Sequence, residues 1–268
     1  MAVRKFQDQL KLKKRKARWT RLGLLAGVVF LFLIGLAYLA FFAGGFDLRA
    51  VEVVGNQHVS GTQLLETIDA QTNEKWLLII PRRNNRWLIS YDQIAFNLLD
   101  HFPELVSVQA YHRTNHVLVV KVTERQPAGI WCLDQAKFCY FFDTHRTAYE
   151  TTGLTEGYLF ITIHDQRQQP VNLGETVMTA EWWDDIQKIN QWLRAGSITP
   201  AYFNISTSVA DEFTVHTDQG WDVLFSRATD LNKQTLALLK YLKTKLTPEE
   251  RANLQYVNLR VPDRIYYK

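Results

Sequence analysis

One stretch limits what this chain can be. Residues 22–46 read LGLLAGVVFLFLIGLAYLAFFAGGF, without a charged residue or a proline. As a helix the stretch is roughly 37 Å long, enough to cross a ~30 Å hydrocarbon layer with some tilt. A buried core helix would carry a polar face, and this one has none. A secretory signal has a shorter apolar run of ~7–15 residues and a small-residue cleavage site. Ala43-Gly44-Gly45 offers such a site, but the run is too long for that class. The expectation is a retained transmembrane anchor.

The flanks orient it. Residues 1–21 hold nine basic side chains against Asp8 alone, a net +8. Asp47, Arg49 and Glu52 nearly balance on the other side. Basic residues stay on the cytoplasmic side, so residues 1–21 form a cytoplasmic tail and everything after Phe46 lies outside. Trp19 and Phe46 suit the two interfaces. The tail's charge orients the anchor and meets anionic lipid. The whole chain of 268 residues carries +4, which leaves −4 for the outer part. The sequence pI of 9.0 therefore describes the tail, and no nucleic-acid surface is expected outside.

Residues 47–125 alternate elements in the order β-α-α-β-β. Leu48, Val51 and Val53 mark a strand closed by Gly55-Asn56. Ser60 caps a helix with Leu64, Leu65 and Ile68 on one side. The run 76–80 reads as buried and stops at Pro81. A second helix starts at Tyr91-Asp92 and ends before Pro103, with Ile94, Ala95, Leu98 and Leu99 on one face. Residues 105–113 and 116–124 alternate apolar and polar about a turn at 113–115, a β-hairpin. His112 and His116 flank that turn without a carboxylate cluster and read as surface residues rather than metal ligands.

Residues 126–268 switch to short strands with two helices. Cys132 and Cys139 sit on facing strands, 130–133 and 138–143, where they either bridge or stay as two buried thiols. Residues 158–163 form a buried strand, 172–174 a turn, and 181–194 a helix with Trp182, Ile186, Ile189 and Leu193 inward. Residues 210–227 form a hairpin about Asp218-Gln219-Gly220. Residues 230–246 form an amphipathic helix with Leu238, Leu239 and Leu242. Strands over 256–261 and 264–268 close the sequence around Pro262-Asp263. The fold class is α+β: a transmembrane helix, then two outer domains.

Two segments carry a family resemblance. FDLRAVEVVGNQHVSGTQLLETI, directly after a single anchor, resembles the start of a POTRA domain, and the hairpin closes with VTERQP, similar to the Val-x-Glu-Arg-x-Pro of that group. GWDVLFSRATDLNKQTLALLKYL and YVNLRVPDRIYYK resemble the end of the β-domain in FtsQ/DivIB cell-division proteins. Asn258 stands where the family usually has Asp. Arg146 follows Asp143-Thr144-His145 where it often has Asp-x-x-Gly. Residues 150–210 are generic. The resemblance implies a POTRA domain over 47–125, a β-domain over 126–268, and a place in the bacterial inner membrane at the division septum.

No Gly-rich phosphate loop, zinc-protease helix or serine-nucleophile motif occurs, so no catalytic residue, cofactor, metal or small-molecule substrate is expected. A binding role remains, through a sheet edge open to strand addition. The resemblance implies FtsB as the strand-adding partner, with FtsL in the same complex. The surface carried over is Tyr256, Leu259, Val261, Arg264, Ile265, Tyr266 and Tyr267. The POTRA domain would meet other division proteins. The alternatives are a POTRA-bearing translocation component and a membrane-anchored cell-wall enzyme.

Overall fold

The structure is a computed structural model, and it describes residues 2–42, 47–76, 80–81, 86–113, 116–133, 138–153, 159–167, 169–205 and 211–268. The middle of the 76–80 run and the centres of the 113–115 and cysteine turns lie outside these residues. The described chain divides into two compact units.

The first unit opens with one helix, α1 (Ala2–Phe42). It runs through the basic tail as well as the apolar stretch. Between Trp19 and Leu39 it is long and apolar enough to cross a membrane, and none of that window is buried in the protein. The core-helix alternative therefore fails: these side chains have nothing of their own chain to pack against.

The rest of the unit follows as β1 (Ala50–Val54), α2 (Gly61–Thr72), a two-residue ribbon of β2 (Lys75–Trp76) and β3 (Ile80–Pro81), then α3 (Tyr91–His101), β4 (Leu105–Arg113) and β5 (Val117–Glu124). The β-α-α-β-β order is as expected, with the small ribbon added. The sheet order is β1-β5-β4, and β1 lies parallel to β5 with Ala50 opposite Val117. Leu64 and Ile68 of α2, Ile94 and Leu98 of α3, and Leu118 and Val120 of β5 are buried, each at its helical or strand period. Ser60 takes the N-cap position of α2 with extended dihedrals but makes no side-chain cap bond.

Gly55 turns the chain between β1 and α2. Its φ is +99°, and a Cβ there would lie 2.3 Å from the Val122 carbonyl oxygen. Both the backbone angle and the close approach demand glycine. Gly55→Ala is expected to cost about 2 kcal/mol or more, read as a lower urea midpoint for this unit.

The second unit is built on a nine-stranded sheet. Its strands are β6 (Gly129–Leu133), β7 (Phe138–Phe142), β8 (Ala148–Gly153), β9 (Ile161–Asp165), β10 (Pro200–Ile205), β11 (Glu212–Thr217), β12 (Asp222–Ser226), β13 (Tyr256–Asn258) and β14 (Tyr266–Tyr267). The order is β14-β13-β12-β11-β10-β9-β6-β7-β8. Two parallel neighbours need crossovers, and the helices supply them. α4 (Ala180–Ala195) links β9 to β10; α5 (Leu231–Thr244) and the short α6 (Pro248–Ala252) link β12 to β13. The expectation of two helices thus becomes three. Thr247 and Glu250 close a capping box around Pro248 at the start of α6.

One core joins α4, α5 and one sheet face through Ile186, Ile189, Leu193, Leu238, Leu242 and strand residues such as Phe203 and Phe225. Trp183 is the fully packed tryptophan of α4. Trp182, expected inward, is half-buried against that core, with the Arg227 guanidinium 4.4 Å above its ring.

On β6 and β7, Cys132 and Cys139 stand directly opposite one another and are joined by a disulfide. Ile130, Phe141 and Phe160 pack around it. Replacing both cysteines with serine opens a short loop. The expected loss is about 2 kcal/mol, measured as a urea midpoint shift, and the native protein should titrate no free thiol.

Candidate partner-binding edge

The nine-stranded sheet has two edges, and they differ. At the start of β8, Ala148 donates its N–H to the Glu175 carbonyl and accepts from the Gly174 N–H, while Thr147 bridges Thr176. A neighbouring segment thus occupies that edge, and β8 itself reads AYETTG, with polar residues in its second half. The β14 edge is the other case.

β14 is antiparallel to β13, with Val257 opposite Tyr267 and Asn258 opposite Tyr266. Tyr256 and Lys268 exchange both backbone bonds, at 3.2 and 3.4 Å. Bonded and non-bonded pairs alternate along an antiparallel ladder. Tyr267 therefore falls on a non-bonded pair, and its N–H and C=O point away from β13.

The turn before β14 is fixed from both sides. Asp263 takes a φ of 59°, and Arg264 N–H donates to the Val261 carbonyl. Upstream, Asn258 Oδ1 accepts from the Arg260 N–H and Arg260 Nε, each at 3.1 Å, and Arg260 pairs with Glu212. The amide oxygen of Asn258 thereby does what a carboxylate would do in holding the arginine. The Asp-to-Asn departure leaves the turn supported.

The seven residues named from sequence share this edge but not one surface. Val261, Arg264, Tyr266 and Tyr267 are exposed; the two tyrosines keep 44% and 52% of their surface. Tyr256 is half-buried. Leu259 must be corrected: only 3% of it is exposed, because it follows Val257 on the face that α5 covers. Ile265 is half-buried and packs against the same core. Both act from beneath the edge rather than on it.

Sequence reasoning missed two neighbours. The Tyr241 ring on α5 lies 5.3 Å from that of Tyr267. Burial first, then the hydrogen bond with Tyr267, pushes the Tyr241 phenol up to about 12. Tyr241 follows Leu238 by three residues, so the helical period was the available signal. The second is a cleft of about 430 Å3 between the start of α5 and the turn, lined by Asp230, Lys233, Gln234, Leu259, Arg264 and Ile265. Asp230 caps α5 by accepting from the N–H groups of Asn232 and Lys233. Gln234 donates to the Ser226 carbonyl at 2.7 Å and accepts from its N–H, which ties α5 to the end of β12. The cleft wall is therefore held by buried bonds.

The two histidines have separate partners. Nδ1 of His112 is 3.0 Å from the Tyr91 hydroxyl, and Nδ1 of His116 is 2.8 Å from the Asp47 carbonyl oxygen. Among the described residues no group of three or more His, Cys, Asp or Glu side chains is arranged to hold a metal.

The fold and this edge define a mixed α/β chain with one apolar N-terminal helix and a sheet edge open to pairing. No protein-family model matches the chain, and no curated protein matches it significantly.

Proposed function

We propose that this chain is a non-enzymatic, membrane-anchored scaffold of the bacterial cell-division machinery, of the FtsQ/DivIB kind. Residues 47–125 act as its POTRA domain and residues 126–268 as its β-domain. The N-terminus is cytoplasmic, the two domains are extracytoplasmic, and the protein works at the septum of the inner membrane. An FtsB-like partner adds a strand to β14, within a complex that includes an FtsL-like protein. The observation that carries this reading is the β14 edge, with the Tyr267 backbone directed outward and two exposed tyrosines beside it. The β-α-α-β-β order after a single apolar helix supports the domain reading. The anchor confines the domains to the membrane surface, which raises their effective concentration toward other anchored proteins without any catalytic step.

The test is depletion of the chain in its bacterial host, together with co-purification of the full-length protein. Filamentous cells without septa, and recovery of FtsB-like and FtsL-like proteins, are the expected results. Normal division after depletion would overturn the reading.

A further inference from the structure

The first unit begins to fold almost at the point where the apolar run ends. Asp47, one residue past that run, already offers its carbonyl to His116, and the Arg49 N–H donates to the His116 carbonyl. Consecutive Cα atoms are 3.80 Å apart, so this end of the unit stays beside the bilayer surface wherever α1 spans it. The inference rests on that spanning reading of α1, though not on any partner at β14.

The topology shows what else shares this end. β1 starts beside the start of β5 (Ala50 opposite Val117), so the β4–β5 turn is there. His112, near the end of β4, meets Tyr91, so the start of α3 is there too. A single 3-10 turn, Arg86–Leu88, leads into α3, and its Trp87 is 75% exposed. The β2–β3 ribbon precedes that turn in sequence. The opposite end holds Gly55 against Val122 and the start of α2.

The sequence at the membrane end has the matching chemistry. Residues 75–91 hold Lys75, Arg82, Arg83 and Arg86 and no acidic residue, with Trp76 and Trp87. The neighbouring arginines of this end are already engaged: Arg49 with Asp47, and Arg113 with Glu52. Tryptophan prefers the headgroup boundary, and Lys and Arg reach from it to phosphates.

We propose that this end of the first unit is a lipid-contact surface. Trp87 seats at the boundary between headgroups and acyl chains, in the leaflet from which the chain emerges. Lys75 and Arg86 bind anionic phospholipid headgroups there. The contact sets the tilt of the unit on the membrane, which a single flexible attachment would leave free.

Full-length protein in phosphatidylcholine–phosphatidylglycerol vesicles tests this. Both native cysteines are bonded to each other, so a fluorophore can be placed through Ser90→Cys, Thr62→Cys or Leu31→Cys, one at a time. Quenching is then read with nitroxide-bearing lipids. The label at 90 should be quenched by headgroup nitroxide several-fold more than the label at 62, which marks the far end. Lys75→Glu with Arg86→Glu and Trp87→Ala should lower it to the level at 62, with circular dichroism unchanged. The label at 31 should be quenched by acyl-chain nitroxide throughout. Equal, weak quenching at 90 and 62 with 31 quenched would overturn the contact. So would strong quenching at 90 that the three changes leave intact, since the tether alone would then explain it. Absence of quenching at 31 would instead overturn the spanning reading, and the contact with it.

Discussion

Tyr267→Pro is expected to weaken capture of a strand-adding partner about 10- to 100-fold while leaving the protein folded. The reason is the ladder register. Tyr267 faces Val257 in a non-bonded pair, so its N–H takes no part in holding β14 to β13. Proline there removes a donor that only a partner would use. The partner's carbonyl is left unsatisfied at a cost of about 1–3 kcal/mol, and each ~1.4 kcal/mol is a factor of ten in affinity. Tyr266→Pro is the counterpart. Tyr266 pairs with Asn258 on the bonded side, so its proline variant should loosen β14 itself and lower the unfolding midpoint. Tyr267→Ala separates ring from backbone, since it loses the contact with Tyr241 but keeps the N–H; it should weaken capture less than proline does. Co-purification and titration with an FtsB-like peptide measure all three. Full affinity in Tyr267→Pro would show that the partner does not extend the sheet at β14.

Much of the fold was legible because side-chain period and burial agree. β5 reads VLVVKVTE and buries Leu118, Val120 and Val122 as alternation requires. α5 buries Leu238 and Leu242 after an aspartate cap. Where the pattern was poor, elements were missed. β8 reads AYETTG and buries only its first two residues. β10 begins with Pro200 and has Asn204 inside it, yet it lies in mid-sheet because β9 and β11 hold it from either side. α6 escaped notice although Thr247-Pro248-Glu249-Glu250 is a capping-box signature, since five residues show no helical period.

The candidate edge was legible only in part, for a geometric reason. Alternation correctly put Ile265 and Tyr267 on one face and Tyr266 on the other. It could not say which face α5 covers, and that decides the burial of Leu259. The cleft beside the turn depends on side chains about thirty residues apart, from Asp230 to Arg264, and no local pattern announces it. Arg146 is a related case. It sits at φ 66° where glycine would be unstrained, so the turn expected from Asp-x-x-Gly forms with a non-glycine residue.

That turn is tied to the VTERQP segment, and the tie gives the second large effect. Arg125 donates from Nη1 to Asp143 Oδ2 and from Nε to the Pro103 carbonyl. Asp143 is only 3% exposed, and its other oxygen accepts from the N–H groups of His145 and Thr147. The carboxylate thus organises the 143–147 turn, and the guanidinium compensates its charge. Arg125→Ala removes the compensation and leaves a buried anion, for which the expected loss is about 3 kcal/mol or more. Against a typical total stability of about 5–15 kcal/mol that is a large fraction. Asp143→Asn alone keeps the acceptor for the two N–H groups and should cost less. The double variant should recover part of the loss seen in Arg125→Ala, because no unpaired charge remains, and that non-additivity is the signature of a charge pair. Urea unfolding of the four proteins closes the cycle. Additive losses would mean that Arg125 acts through its Pro103 contact and its packing rather than through the pair, and the sequence signature around Arg125 would then mark a backbone brace instead of a buried ion pair.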